Sequence, residues 1–224
     1  MVLIYSLIFA FSLSLLFTTS IKKYKWVYYT LAILTALSTL VYQIGMMFFG
    51  FQIDGIIGEI EKASFKGIIS ACFFVVVMYA GALNVKWGIT RRLLKIRTEI
   101  AIIACILLLP HGIMYLIYFV MGILSGAPIT AKYLVYSLAG VIGFIIMIPL
   151  FITSFKDVRG EMKGGRWKKV QKWAYVFYGL TYVHVIVLLL GRDNIDMIKI
   201  GTYTGVFGLY LILKTIKYKR LCNK

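Results

Sequence analysis

Seven long apolar stretches divide this chain: approximately Val2–Thr19, Val27–Phe51, Gly67–Val85, Ile100–Leu124, Leu134–Phe155, Trp173–Gly191 and Ile200–Lys214. A helix that crosses a bilayer needs about 20 mostly apolar residues. Each stretch is therefore a candidate span, and the last is the shortest. Hydrophobic residues make up 61% of the sequence and charged residues 15%. A soluble domain carries about 45–50% and about 25% of these. That balance excludes an ordinary soluble protein, a disordered chain and a collagen-like fibre. The fold expected is all-α, a polytopic transmembrane helix bundle of seven spans, or six. Neither a repeat nor a linker between domains is evident. No basic residue precedes the first stretch and no small-residue cleavage site follows it, so it reads as a retained span.

The net charge of +17 would suggest a nucleic-acid partner in a soluble protein. Here its distribution points elsewhere. With the N-terminus outside, the segments on the inner side carry 20 of the 25 basic residues. They are Lys22, Lys23 and Lys25; Lys86, Arg91, Arg92, Lys95 and Arg97; seven from Lys156 to Lys172; and five from Lys214 to Lys224. Lys62, Lys66, Lys132, Arg192 and Lys199 remain outside. Cytoplasmic loops of membrane proteins collect Lys and Arg, so this split predicts an odd number of spans with the C-terminus inside. Anionic lipid is the expected partner of these charges, not nucleic acid.

Cys72, Cys105 and Cys222 form no CxxC pair, which removes zinc-ribbon and iron–sulfur spacing. The two histidines, His111 and His184, both fall inside apolar stretches. A membrane-embedded histidine is costly and marks either function or an interhelical hydrogen bond. His111 lies 12 residues after Glu99, and His184 lies 12 residues after Lys172. Both helices run outward, so at about 1.5 Å per residue each imidazole sits about 18 Å from the inner end. Two imidazoles at one depth suit the axial positions of a b-type haem. Gly112 and Gly179 would let a macrocycle approach the backbone, and Pro110 interrupts the hydrogen-bond ladder before His111. Aromatic residues are dense nearby: Tyr115, Tyr118 and Phe119, then Tyr175, Phe177, Tyr178 and Tyr182. Such residues also serve as packing and interface anchors. Carboxylate or thiolate partners for a zinc site are missing beside the histidines. The acidic residues fall in loops or at span ends, which argues against an ion-coupled transporter.

The stretch from Arg91, RRLLKIRTEIAIIACILLLPHGIMYLIYF, resembles the basic loop and following helix of the ferric reductase-like transmembrane family. His111 and Tyr115 take the places of that family's His and Tyr. The stretch from Thr153, TSFKDVRGEMKGGRWKKVQKWAYVFYGLTYVHVIVL, resembles a second family segment. That segment carries two histidines thirteen residues apart. His184 matches the second, and Gln171 stands at the place of the first. The resemblance is nearest to the small haem-binding membrane subunit serving periplasmic methionine sulfoxide reductase. It covers 67–213 and leaves the spans of 1–66 and the basic tail 214–224 unexplained.

The resemblance implies one haem b on His111 and His184, bound as cofactor and as metal, with Gln171 weighing against a second haem. It implies electron transfer across a prokaryotic plasma membrane to an outward-facing acceptor. The donor would be a cytoplasmic flavin reductase or a quinol, and the redox partner would be separately encoded. Arg91, Arg92, Lys95, Arg166, Lys168 and Lys169 are candidates to hold an FMN phosphate or dock an acidic reductase. No flavin- or NADPH-binding segment follows 213, so an electron-transfer subunit is expected instead of a self-contained reductase. The alternative is a non-redox scaffold or transporter whose histidines are interhelical hydrogen-bond donors.

Overall fold

The computed structural model describes residues 2–50, 52–126, 128–191 and 194–222, with side chains as far as Arg220. Phe51, Arg192 and Lys224, named above in a span or a charged segment, lie outside the described residues, as does the Cys222 side chain. The described chain is helical and forms two units, Met1–Ile113 and Met114–Lys224.

The first unit holds α1 (Val2–Leu16), α2 (Thr18–Lys23), α3 (Lys25–Phe49), α4 (Gly55–Phe65), α5 (Ile68–Ala82) and α6 (Gly88–Lys95), and α7 (Arg97–Leu124) begins in it. Its core is built on α5, which packs against α1, α4 and α6. Cys72, Phe73, Val75, Val76 and Met78 on α5 are buried, as are Ile100, Ile103 and Ala104 on α7. Gly50 closes α3 in the left-handed conformation (φ 69°), and its N–H donates to the Met46 carbonyl. Where α2 meets the start of α7, Lys22 donates to the buried Glu99 carboxylate at 2.6 Å.

A break at Lys66–Gly67 bends α5 by 59° from α4. Gly67 takes φ +70°, a conformation that glycine reaches without a Cβ penalty. The sequence expectation of one span over Gly67–Val85 thus meets a 15-residue helix preceded by a second one. Glu59, Glu61 and Lys62 on α4 hide that helix from a search for apolar runs.

The second unit receives the C-terminal part of α7 and contains α8 (Ala131–Ile152), α9 (Lys156–Glu161), α10 (Gly164–Leu190) and α11 (Met197–Cys222). α8 and α10 lie along one another, and α11 packs on α10 through rings. Tyr178 stacks on Phe207 at 4.3 Å, and Tyr182 meets the same ring at 5.3 Å. Asp196 receives the Lys199 N–H and ammonium, which hold its carboxyl below the usual range. Thr130 caps α8 by accepting the Tyr133 N–H at 3.2 Å. Replacing Thr130 with alanine should cost about 1 kcal/mol in detergent unfolding, and serine should restore it.

Among the described residues, each of the seven apolar stretches lies mainly on helix. Among the described residues, α3, α7, α8 and α10 are long and apolar enough to cross a membrane, and α4 with α5 makes a fifth if counted as one span. α1 has 15 residues, about 22 Å of helix against a hydrocarbon core of about 30 Å. α11 has 26 residues, but Lys199, Lys214, Lys217, Lys219 and Arg220 confine its apolar part to the middle. Leu31, Phe48, Ile117, Ile145 and Val176 stand exposed on the long helices. Apolar side chains exposed along helices of this length belong in lipid, and the chain is an integral membrane protein.

Candidate functional site

His111 follows the fully buried Pro110 on α7. Its Nδ1 lies 2.9 Å from the carbonyl oxygen of Phe65, the last residue of α4. A carbonyl only accepts, so Nδ1 carries the proton and Nε2 is the nitrogen that holds the lone pair. The α4–α5 break places that carbonyl at a corner of the chain. The ring lies across Gly67, where a Cβ would come 3.3 Å from Cγ and 3.5 Å from Cδ2.

His184 on α10 repeats the arrangement with other parts. Its Nδ1 lies 2.8 Å from the Tyr136 carbonyl oxygen on α8, which fixes the same tautomer. Tyr136 is in mid-helix, where the side chain four residues later leans back over the carbonyl. That residue is Gly140. A Cβ there would stand 2.9 Å from Nδ1 and 3.1 Å from Cε1 of His184. The Tyr136 ring meets the imidazole edge-on at 5.9 Å. Tyr136 also lines a cavity of about 680 Å³ with Thr130, Lys132, Tyr133, Leu188 and Gly191.

Metal-ligating histidines commonly give their second ring N–H to a carbonyl, which fixes the ring and makes the ligating nitrogen more basic. Both histidines meet that requirement, and both have a neighbour without a side chain. Taken singly, each histidine therefore has the hydrogen bonding of a metal ligand. Among the described residues, no group of three or more His, Cys, Asp or Glu gathers around an ion position.

Other residues singled out from the sequence have different surroundings. Gly179 has open space where its Cβ would be, so it seats nothing within the chain. Tyr178 and Tyr182 pack on α11, and Tyr175 receives the Lys214 ammonium on its hydroxyl at 2.8 Å. Tyr115 and Tyr118 pair edge-on. Gln171 donates its amide to the Thr153 hydroxyl at 3.0 Å, while the Trp167 indole donates to the Thr153 carbonyl. Arg91, Arg92 and Lys95 are exposed on α6. Arg166, Lys168 and Lys169 are exposed on the first turns of α10, where the sequence reading has a loop. Arg97 turns inward to the Val77 carbonyl at 3.0 Å, with its guanidinium over Gly81. Phe65, Gly67, Tyr136 and Gly140 were missed because two supply main-chain carbonyl acceptors, which have no particular residue type, and two are ordinary glycines. For Tyr136 the small residue four positions later is a signal, and a weak one; Gly67 stands two positions after Phe65.

Comparison with known proteins gives three results. A protein of Treponema pallidum (strain Nichols), described as an uncharacterized protein, is 35% identical over 173 residues. The alignment covers 75% of this chain and 46% of that protein, so the chain spans about half the length of this relative. No solved structure matches the chain. The model of the family described as "Ferric reductase like transmembrane component" matches residues 66–182, from the α4–α5 break to two residues before His184. That match takes in His111 and more than half of the sequence, and the chain belongs to the ferric reductase-like transmembrane family.

Proposed function

We propose that this chain is the b-type cytochrome subunit of a transmembrane electron-transfer system, with His111 and His184 as the axial ligands of one haem. The observation that carries this reading is the repeated seat: each imidazole gives Nδ1–H to a main-chain carbonyl and faces a glycine. A haem ligated on both faces supplies one-electron transfer and leaves no open coordination position for substrate. The protein's task is then to hold both Nε2 lone pairs in place and keep the surroundings apolar. In the proposed topology α1, α3, the α4–α5 pair, α7, α8, α10 and α11 all cross a prokaryotic plasma membrane. The 20-to-5 division of basic residues supports an outer N-terminus and an inner C-terminus.

Electrons would arrive from a cytoplasmic flavin reductase, a bound FMN or a membrane quinol. They would leave to a separately encoded outward-facing acceptor, as the likeness to methionine sulfoxide reductase membrane subunits suggests. The exposed Arg91, Arg92, Lys95, Arg166, Lys168 and Lys169 are the proposed contacts for the inner partner or its phosphate. Gln171 is engaged with Thr153, which supports one haem in preference to two.

One observation favours a second reading. The carbonyls that accept from His111 and His184 belong to neighbouring helices, and a non-redox scaffold would use histidines in that way. A reduced-minus-oxidised spectrum of the purified protein, with cofactor extraction, separates the two. A b-type difference spectrum with one haem per chain is expected. Haem-free protein from cells with ample haem would sink the cytochrome reading and leave the scaffold.

A further inference from the structure

We infer that Gly67 and Gly140 are positioning residues that set the ring plane and basicity of the two histidine ligands. This rests on the haem reading above. Neither glycine touches a reacting atom; each acts through its histidine. The two seats reach one result by different routes. At His111 a broken helix turns the Phe65 carbonyl outward, and left-handed Gly67 beside the break leaves room for the ring. At His184 the helix is unbroken, and the missing Cβ at Gly140 opens the flank of the Tyr136 carbonyl. Two constructions converging on Nδ1–H···O=C point to the hydrogen bond itself as the requirement. A local packing need at one site would leave the other unexplained.

The bond has a chemical consequence. An imidazole that donates from Nδ1 is more electron-rich at Nε2 and favours the oxidised iron, which lowers the reduction potential. A Cβ at residue 140 would stand 2.9 Å from Nδ1, closer than such atoms pack, so the ring must swing away from the carbonyl. At residue 67 the contact would be 3.3 Å, and the backbone conformation also disfavours a side chain. Gly205, on α11 and outside both seats with nothing within 4 Å of its would-be Cβ, is the control.

The test uses the full chain in detergent, haem-loaded, as wild type and as Gly140→Ala, Gly67→Ala and Gly205→Ala. Haem per chain, midpoint potential and the low-spin EPR g-values are read. The potential should rise and the g-values move in Gly140→Ala, and by less in Gly67→Ala. Gly205→Ala should match wild type in all three. Loss of haem from Gly140→Ala with helicity and elution volume unchanged also supports the seat. Loss of haem together with the fold passes the decision to Gly67→Ala. Haem-loaded Gly140→Ala and Gly67→Ala with wild-type potential and g-values would overturn the inference while leaving the cytochrome reading intact. A haem-free wild type overturns that reading instead.

Discussion

Alanine at His184 is expected to remove haem from the purified protein, and alanine at His111 to do the same. With one axial nitrogen gone, the six-coordinate low-spin spectrum cannot form. Disturbing only the group that orients a metal-bound histidine typically weakens binding by about 10–100-fold. Removing the ligand itself should exceed that, so haem should not survive detergent purification. Circular dichroism should show wild-type helicity, because α7 and α10 are held by packing outside the imidazoles. Either variant carrying wild-type haem and spectrum would withdraw that residue as a ligand.

The second large effect is expected at the ion pair between α2 and α7. Glu99 is 7% exposed, and Lys22 meets one of its oxygens at 2.6 Å. Its other oxygen, Oε2, has no hydrogen-bond partner among the described residues. Replacing Lys22 with methionine strands a buried carboxylate. The full cost of stranding a buried charge is about 3–5 kcal/mol. The Lys22 side chain is 58% exposed, so water screens the pair and about 1–3 kcal/mol is the expected loss. The double variant Lys22→Met/Glu99→Gln should recover most of it, because the stranded charge is gone. Exposed Lys23→Met serves as reference in detergent unfolding. Equal losses for Lys22→Met and Lys23→Met would show that the pair contributes nothing.

The helices were legible because burial in lipid demands long apolar runs, and among the described residues all seven runs lie mainly on helix. The exceptions have physical causes. α4 was hidden because charged residues interrupt its apolar pattern. The start of α10 was hidden because its first turns carry Arg166, Lys168 and Lys169, which belong equally well to a loop or to a helix in water. His111 and His184 stood out because histidine is rare in such surroundings. What holds them did not, since a main-chain carbonyl has no residue identity, and Gly67 and Gly140 gain meaning only when a second helix arrives beside them. Aromatic density carried little information for the same reason: Tyr178 and Tyr182 are near His184 in sequence but pack on α11, and a ring beside His184 comes from Tyr136 on α8.

The carbonyl and the glycine beside each imidazole belong to its own unit: Phe65 and Gly67 for His111, and Tyr136 and Gly140 for His184. The Nδ1–H tautomer is therefore fixed by main chain of the same unit. A cofactor arriving afterwards would meet side chains whose rotational entropy has already been lost. Its binding free energy would not be spent on freezing them. Preorganisation of this kind favours rapid capture, and lets newly made apoprotein wait in the membrane in a competent form.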